Sequence, residues 1–87
     1  MIWHRYKPFH ITEKSIVDNF IDKIIAMYGT TKTFSIYELI DGNELFIYLK
    51  TADTKLSRIF LDNFMESVWV PDPPSEFETL RLIHQSL

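Results

Sequence analysis

With 87 residues, 46% hydrophobic and 24% charged, the chain has the composition of one small globular domain spanning 1–87, and a disordered tail is excluded. Cysteine is absent, which removes disulfides and thiolate metal centres, and no apolar run approaches the ~20 residues that a spanning helix needs. The net charge of -3 is unevenly spread, with two surplus positive charges over residues 1–34 and five surplus negative charges over 35–87.

In chain order, residues 2–7 alternate loosely around Ile2, Trp3 and Tyr6, which predicts a strand that Pro8 ends by removing a ladder donor. The start Met1–Lys7 has no following apolar segment or small-residue cleavage site, so the expectation is a complete cytoplasmic product without a signal peptide. Thr12 reads as an N-cap, with Ile11 stapling onto Ile16. Ile16, Val17, Phe20, Ile21, Ile24, Ile25 and Tyr28 recur at three- and four-residue steps and predict a helix over 13–28. Gly29 follows where a left-handed stop is wanted.

Two apolar-rich runs, 33–40 and 45–51, flank Asp41-Gly42-Asn43-Glu44, the chemistry of a tight hairpin. A two-residue or a four-residue loop gives one side-chain parity. Phe34, Ile36, Leu45, Ile47 and Leu49 share one face, and Ser35, Tyr37, Leu39, Phe46 and Tyr48 share the other. Both faces are apolar, so the ribbon is expected to be covered on two sides.

Asp53 or Thr54 caps a second helix over 55–67 with the stripe Leu56, Ile59, Phe60, Phe64 and Val68. Val68-Trp69-Val70 has the composition of a short fourth strand, and Pro71, Pro73 and Pro74 stop regular structure behind it. Ser75 with Glu78 forms a capping box, which predicts a third helix over 76–86 bearing Phe77, Leu80, Ile83 and Leu87. The expected class is α+β, a small antiparallel sheet of three or four strands with two or three helices, in the order β-α-β-β-α-(β)-α. With the fourth strand present, the first six elements make a split β-α-β sandwich of the ferredoxin-like kind.

No catalytic set assembles from these residues. The two glycines, Gly29 and Gly42, do not form a phosphate cradle, and no nucleophile elbow is present. His4, His10 and His84 lack partners at metal-ligand spacing. Asp18 with Asp22, and Asp62 with Glu66, lie one turn apart on predicted solvated faces. The expectation is therefore a non-enzyme with no cofactor and no metal.

The second hairpin face, Tyr37, Leu39, Phe46 and Tyr48, has the composition of an interface centre. Asp72, Glu76 and Glu78 belong to a run from Asp62 to Glu78 that holds five acids and no Lys or Arg, and they suit a basic partner. These seven residues are the candidate contact set. The expected function is binding another protein as an accessory, adaptor or inhibitor, with self-association into a homo-oligomer. The alternative is a nucleic-acid-binding domain that stacks bases on Tyr37, Phe46 and Tyr48. Against it stand the negative charge and the lack of a dense basic stripe. Trp3 and Trp69 read as core-edge residues.

A hairpin turning at Asp41 to Glu44, a helix bearing Phe60 and Phe64, Trp69, and a final helix opening at Glu76-Phe77 together resemble the layout of some phage-encoded inhibitors of CRISPR nucleases. The resemblance covers residues 41–87 and implies a small inhibitor protein from a phage or bacterial setting. The dense acidic, DNA-imitating surface of that family is interrupted here by Lys50, Lys55 and Arg58.

Overall fold

The structure is a computed structural model that describes residues 2–64, 67–70 and 74–86. It is α+β. The strands are β1 (Ile2–Tyr6), β2 (Phe9–His10), β3 (Phe34–Asp41), β4 (Glu44–Thr51), β5 (Ser67–Val70) and β6 (Arg81–Gln85). The helices are α1 (Lys14–Tyr28), between β2 and β3, and α2 (Thr54–Phe64), between β4 and β5. The sheet runs β5-β1-β4-β3-β6, every pair antiparallel. The two-residue β2 continues the line of β1 along β4. The break between them falls at Lys7-Pro8, where Pro8 has no N–H to give to the ladder.

The hairpin forms as its turn chemistry requires. Asp41 pairs with Glu44 across Gly42-Asn43, and Gly42 takes φ +61°, a conformation cheap only for glycine. Phe34 pairs with Thr51, Ile36 with Leu49 and Ile40 with Leu45, so the expected side-chain parity holds along the whole ribbon.

Both helices cover one face of the sheet. Val17, Ile21 and Ile24 of α1 and Leu56, Phe60 and Phe64 of α2 are buried with Tyr6, Phe34, Ile36, Leu45, Ile47 and Leu49. Rings dominate the α2 end, where Phe64 lies 4.9 Å from Phe20 and 5.0 Å from Phe9 in edge-to-face contacts.

α1 starts later than predicted. A short 3₁₀ turn, Ile11–Glu13, precedes it, and the His10 imidazole, not Thr12, accepts the capping hydrogen bond, from the Thr12 N–H. Ile16 is 70% exposed, outside the buried stripe of Val17, Ile21 and Ile24, where a staple onto Ile11 would need it packed. At the other end Gly29 keeps a helical φ of -58°. Its value is close approach: a Cβ there would sit 2.5 Å from the Ile25 carbonyl oxygen. Asp53 caps α2, accepting from the Leu56 N–H at 2.8 Å.

The third helix is corrected. Phe77–Thr79 is one 3₁₀ turn and Arg81–Gln85 is β6, an added edge strand beside β3. The order of described elements is therefore β-β-α-β-β-α-β-β. An isolated helix of about eleven residues is marginal in water. Pairing with β3 satisfies that strand's outer backbone groups, which a helix laid across the face would leave open. Ser86 secures the far end: its hydroxyl accepts from Phe34 N–H at 2.6 Å and donates to Phe34 C=O at 2.9 Å. The expected fourth strand at Val68–Val70 is present as β5.

Candidate functional site on the second sheet face

The face turned away from the helices carries Trp3 and Arg5 of β1, Ser35, Tyr37, Leu39 and Asp41 of β3, and Glu44, Phe46, Tyr48 and Lys50 of β4, with Leu82 of β6 opposite Tyr37. Its two ends differ. At the β1 end, residues 74–80 lie across the sheet as a strap. Phe77 packs edge-on against Trp3 at 5.8 Å and meets Tyr37 at 5.7 Å, while Trp3 and Tyr37 lie 5.1 Å apart. The Lys50 ammonium sits 5.3 Å from the centre of the Trp3 ring. Trp3 and Tyr48 are each only 1% exposed.

Glu76 fastens the strap. It accepts a hydrogen bond from the Tyr48 hydroxyl and another from Ser75 Oγ at 2.8 Å, and Arg5 stands 3.9 Å away. The Tyr48 and Ser75 hydroxyls and the Arg5 charge hold the Glu76 carboxyl below its usual range. Burial, then the Glu76 carboxylate, pushes the Tyr48 phenol up to about 12.

At the hairpin end the face is less covered. Tyr37, Leu39 and Phe46 are half-buried, Phe77 is 40% exposed and Leu82 is 47% exposed. Beside Leu39 and Phe46, the exposed carboxylates Asp41 and Glu44 stand directly opposite each other on the same face. Like charges in that position repel.

The candidate contact residues thus separate. Tyr37, Leu39 and Phe46 come together on the less covered half. Tyr48 forms the floor beneath the strap. Glu76 is engaged internally, Glu78 is exposed, and Asp72 lies outside the described residues. The side chain of Trp69 and the residue Glu66 also lie outside them. Leu82, Phe77 and the Asp41–Glu44 pair were missed as parts of this face. The parity of the hairpin contained the signal for the two acids, whereas Leu82 and Phe77 depend on β6 being a strand.

Among the described residues, the other face has one buried carboxylate. Glu38, 3% exposed, accepts from Arg81 Nη1 at 2.6 Å and Lys14 Nζ at 3.3 Å, and Lys14 also holds Asp18 at 2.9 Å. The cluster ties β6 to α1 through β3.

The three imidazoles are dispersed. His4 is buried on β1, His10 caps the 3₁₀ turn, and His84 lies 4.7 Å from the Phe34 ring. Among the described residues no group of three or more His, Asp or Glu is placed to hold a metal ion, and no helix is long and apolar enough to cross a membrane. Comparison with protein-family models, curated proteins and solved structures returns no match. Glu76-Phe77 opens a 3₁₀ turn and not a final helix, which corrects that element of the likeness to CRISPR-nuclease inhibitors.

Proposed function

We propose that this chain is a small non-catalytic protein-binding domain that seats a partner on the hairpin half of its second sheet face. The observation that carries the reading is the half-buried pair Leu39 and Phe46 beside two facing, exposed carboxylates, Asp41 and Glu44, with the exposed Leu82 and Phe77 next to Tyr37 on the same face. Apolar anchors with two acids at one edge suit a protein whose contact patch sets Lys or Arg beside apolar side chains. A second copy of this chain, at net charge -3, brings acids toward acids, so a foreign partner is favoured over a homodimer. Such a domain acts as an adaptor, accessory protein or inhibitor. In the same reading, β1-α1-β3-β4-α2-β5 follows a ferredoxin-like plan, supported by the order β5-β1-β4-β3 with both helices on one face, and β6 is an addition to it.

The test is a binding titration of the partner captured from source cells, using wild type, Leu39→Gln/Leu82→Gln and Asp41→Lys/Glu44→Lys. Each apolar truncation at an interface centre is expected to weaken binding by about 1–2 kcal/mol, or roughly tenfold. The charge reversal is expected to slow association and flatten its salt dependence. Undiminished affinity in both variants, or a sedimenting dimer that dissociates only when these residues change, removes the foreign-partner reading. Saturable binding of a short single-stranded oligonucleotide would favour the nucleic-acid alternative instead.

A further inference from the structure

β6 pairs with β3 on one side, and among the described residues no strand lies on its other side. The backbone groups that this leaves free can be assigned. Ser86 N–H donates to the Phe34 carbonyl at 3.0 Å, and the register sets Gln85 against Ser35 and His84 against Ile36. Antiparallel ladders alternate bonded and non-bonded pairs, so the N–H and C=O of Gln85 point away from β3. The register then shifts. Leu82 stands opposite Tyr37, and Ile83 is left without a partner on β3. The extra residue of such a bulge lies outside the ladder. Ile83 and Gln85, two residues apart, therefore offer backbone groups along the open edge.

The surroundings define the strand that fits there. On the second sheet face the edge carries the exposed Leu82, at the margin of the proposed partner site. On the helix face a cleft of about 210 Å³ lies between α1 and β6, with Ile21 and Ile83 among its walls. Lys14 and Arg81 are both engaged by Glu38, and Lys14 also holds Asp18. Asp22 is exposed and lines the same cleft, so three carboxylates there outnumber two cations. Successive side chains of an added strand point to opposite faces, so one set meets Leu82 and the other meets the cleft. Open edges accept extended segments through main-chain hydrogen bonds, and the alternate side chains give specificity.

We propose that β6 is a docking edge at which the protein partner adds an extended strand, bonded to Ile83 and Gln85, with apolar side chains beside Leu82 and Lys or Arg facing Asp22. The docking edge rests on the protein-binding reading and adds to it the backbone form of the partner's contact segment.

The test titrates the ¹⁵N-labelled chain with the capped hexapeptide Ac-(Val-Lys)₃-NH₂, its fully N-methylated analogue and Ac-(Val-Glu)₃-NH₂. In the free chain, amide exchange is expected to be faster at Ile83 and Gln85 than at His84 and Ser86. The Val-Lys peptide is expected to bind saturably and to slow exchange at Ile83 and Gln85 selectively. N-methylation keeps the side chains but removes the peptide's donors, and is expected to weaken binding about tenfold. The Val-Glu peptide is expected to bind less tightly than Val-Lys. Gln85→Pro deletes an outward N–H while sparing the bonds to β3, and is expected to weaken Val-Lys binding about fivefold. The N-methylated peptide puts the same question to the unaltered chain. No saturation, equal affinity for the N-methylated or the Val-Glu peptide, or shifts without protection at Ile83 and Gln85 overturn the docking edge. Because the peptides replace the captured partner, their failure leaves the hairpin half of the face to its own titration.

Discussion

The two faces of this sheet are built from equally apolar strands but finished differently. The first is sealed by two helices that bring Val17, Ile21, Ile24, Leu56, Phe60 and Phe64 onto it. The second is crossed at one end by a short strap that Glu76 and Phe77 help to hold. Stability therefore resides in the first face, and the second has apolar area to offer a partner. A strand of alternating composition assigns side chains to a face but does not say what covers it.

The comparison breaks most visibly in the helix-covered core. Phe60→Ala removes a fully buried ring packed against Tyr6, Phe20 and Phe64. Such truncations cost about 3–5 kcal/mol. For a small domain with a stability of about 5–10 kcal/mol, urea titration is expected to show a large loss of midpoint. A loss below about 1 kcal/mol would contradict the assignment of the core.

Glu38→Ala comes next. Removing the acceptor shared by Arg81 and Lys14 is expected to cost about 1–3 kcal/mol and to raise hydrogen exchange in β6 before β4. Uniform acceleration across the sheet would show that β6 is not fastened separately.

Tyr48→Phe is smaller, about 1–2 kcal/mol for a hydrogen bond to a charged group, and it sharpens the contrast between the two ends of the second face. The pH dependence follows from the two shifts. The Glu76 carboxyl is lowered, so its contribution to the strap is full above its ordinary pKa and fades as pH falls through the lowered value. The Tyr48 phenol is raised, so its contribution is full below its ordinary 10.0 and is lost as pH climbs from there to about 12. Aromatic NMR signals of Trp3 and Phe77 are expected to report the strap loosening at both extremes in wild type. The alkaline limb disappears in Tyr48→Phe. If that limb persists unchanged in the variant, the strap is fastened by something other than Tyr48.

Much of this fold was legible beforehand. The stripes of α1 and α2, apart from Ile16, which is exposed, and Val68, which belongs to β5, together with the hairpin parity and the strand at Val68–Val70, followed from periodicity and turn residues, because each is a local pattern. The failures share a cause. Ser75 and Glu78 match a capping box, and Phe77, Leu80 and Ile83 match a helical stripe. The segment nevertheless pairs with β3, because an open sheet edge is a nonlocal demand that no window of sequence displays. Glu38 carried no mark of its buried ion pairs, since Arg81 reaches it only once β6 is a strand. His10 became a cap and Gly29 a close-packing site for similar reasons, one fixed by the turn before α1 and the other by the Ile25 carbonyl. Of the binding face, Tyr37, Leu39 and Phe46 were readable from parity, whereas the strap that buries Tyr48 was not.

The most direct measurement is hydroxyl-radical footprinting of the chain alone and in complex with its captured partner. In the free chain, oxidation is expected at Leu39, Phe46, Phe77 and Leu82, with Trp3 and Tyr48 protected; in the complex, protection should spread to the first four while Ile16 and Met27 on α1 stay reactive. A complex that leaves Leu39, Phe46 and Leu82 as reactive as before, or that protects α1 in their place, contradicts binding through the hairpin half of the second face.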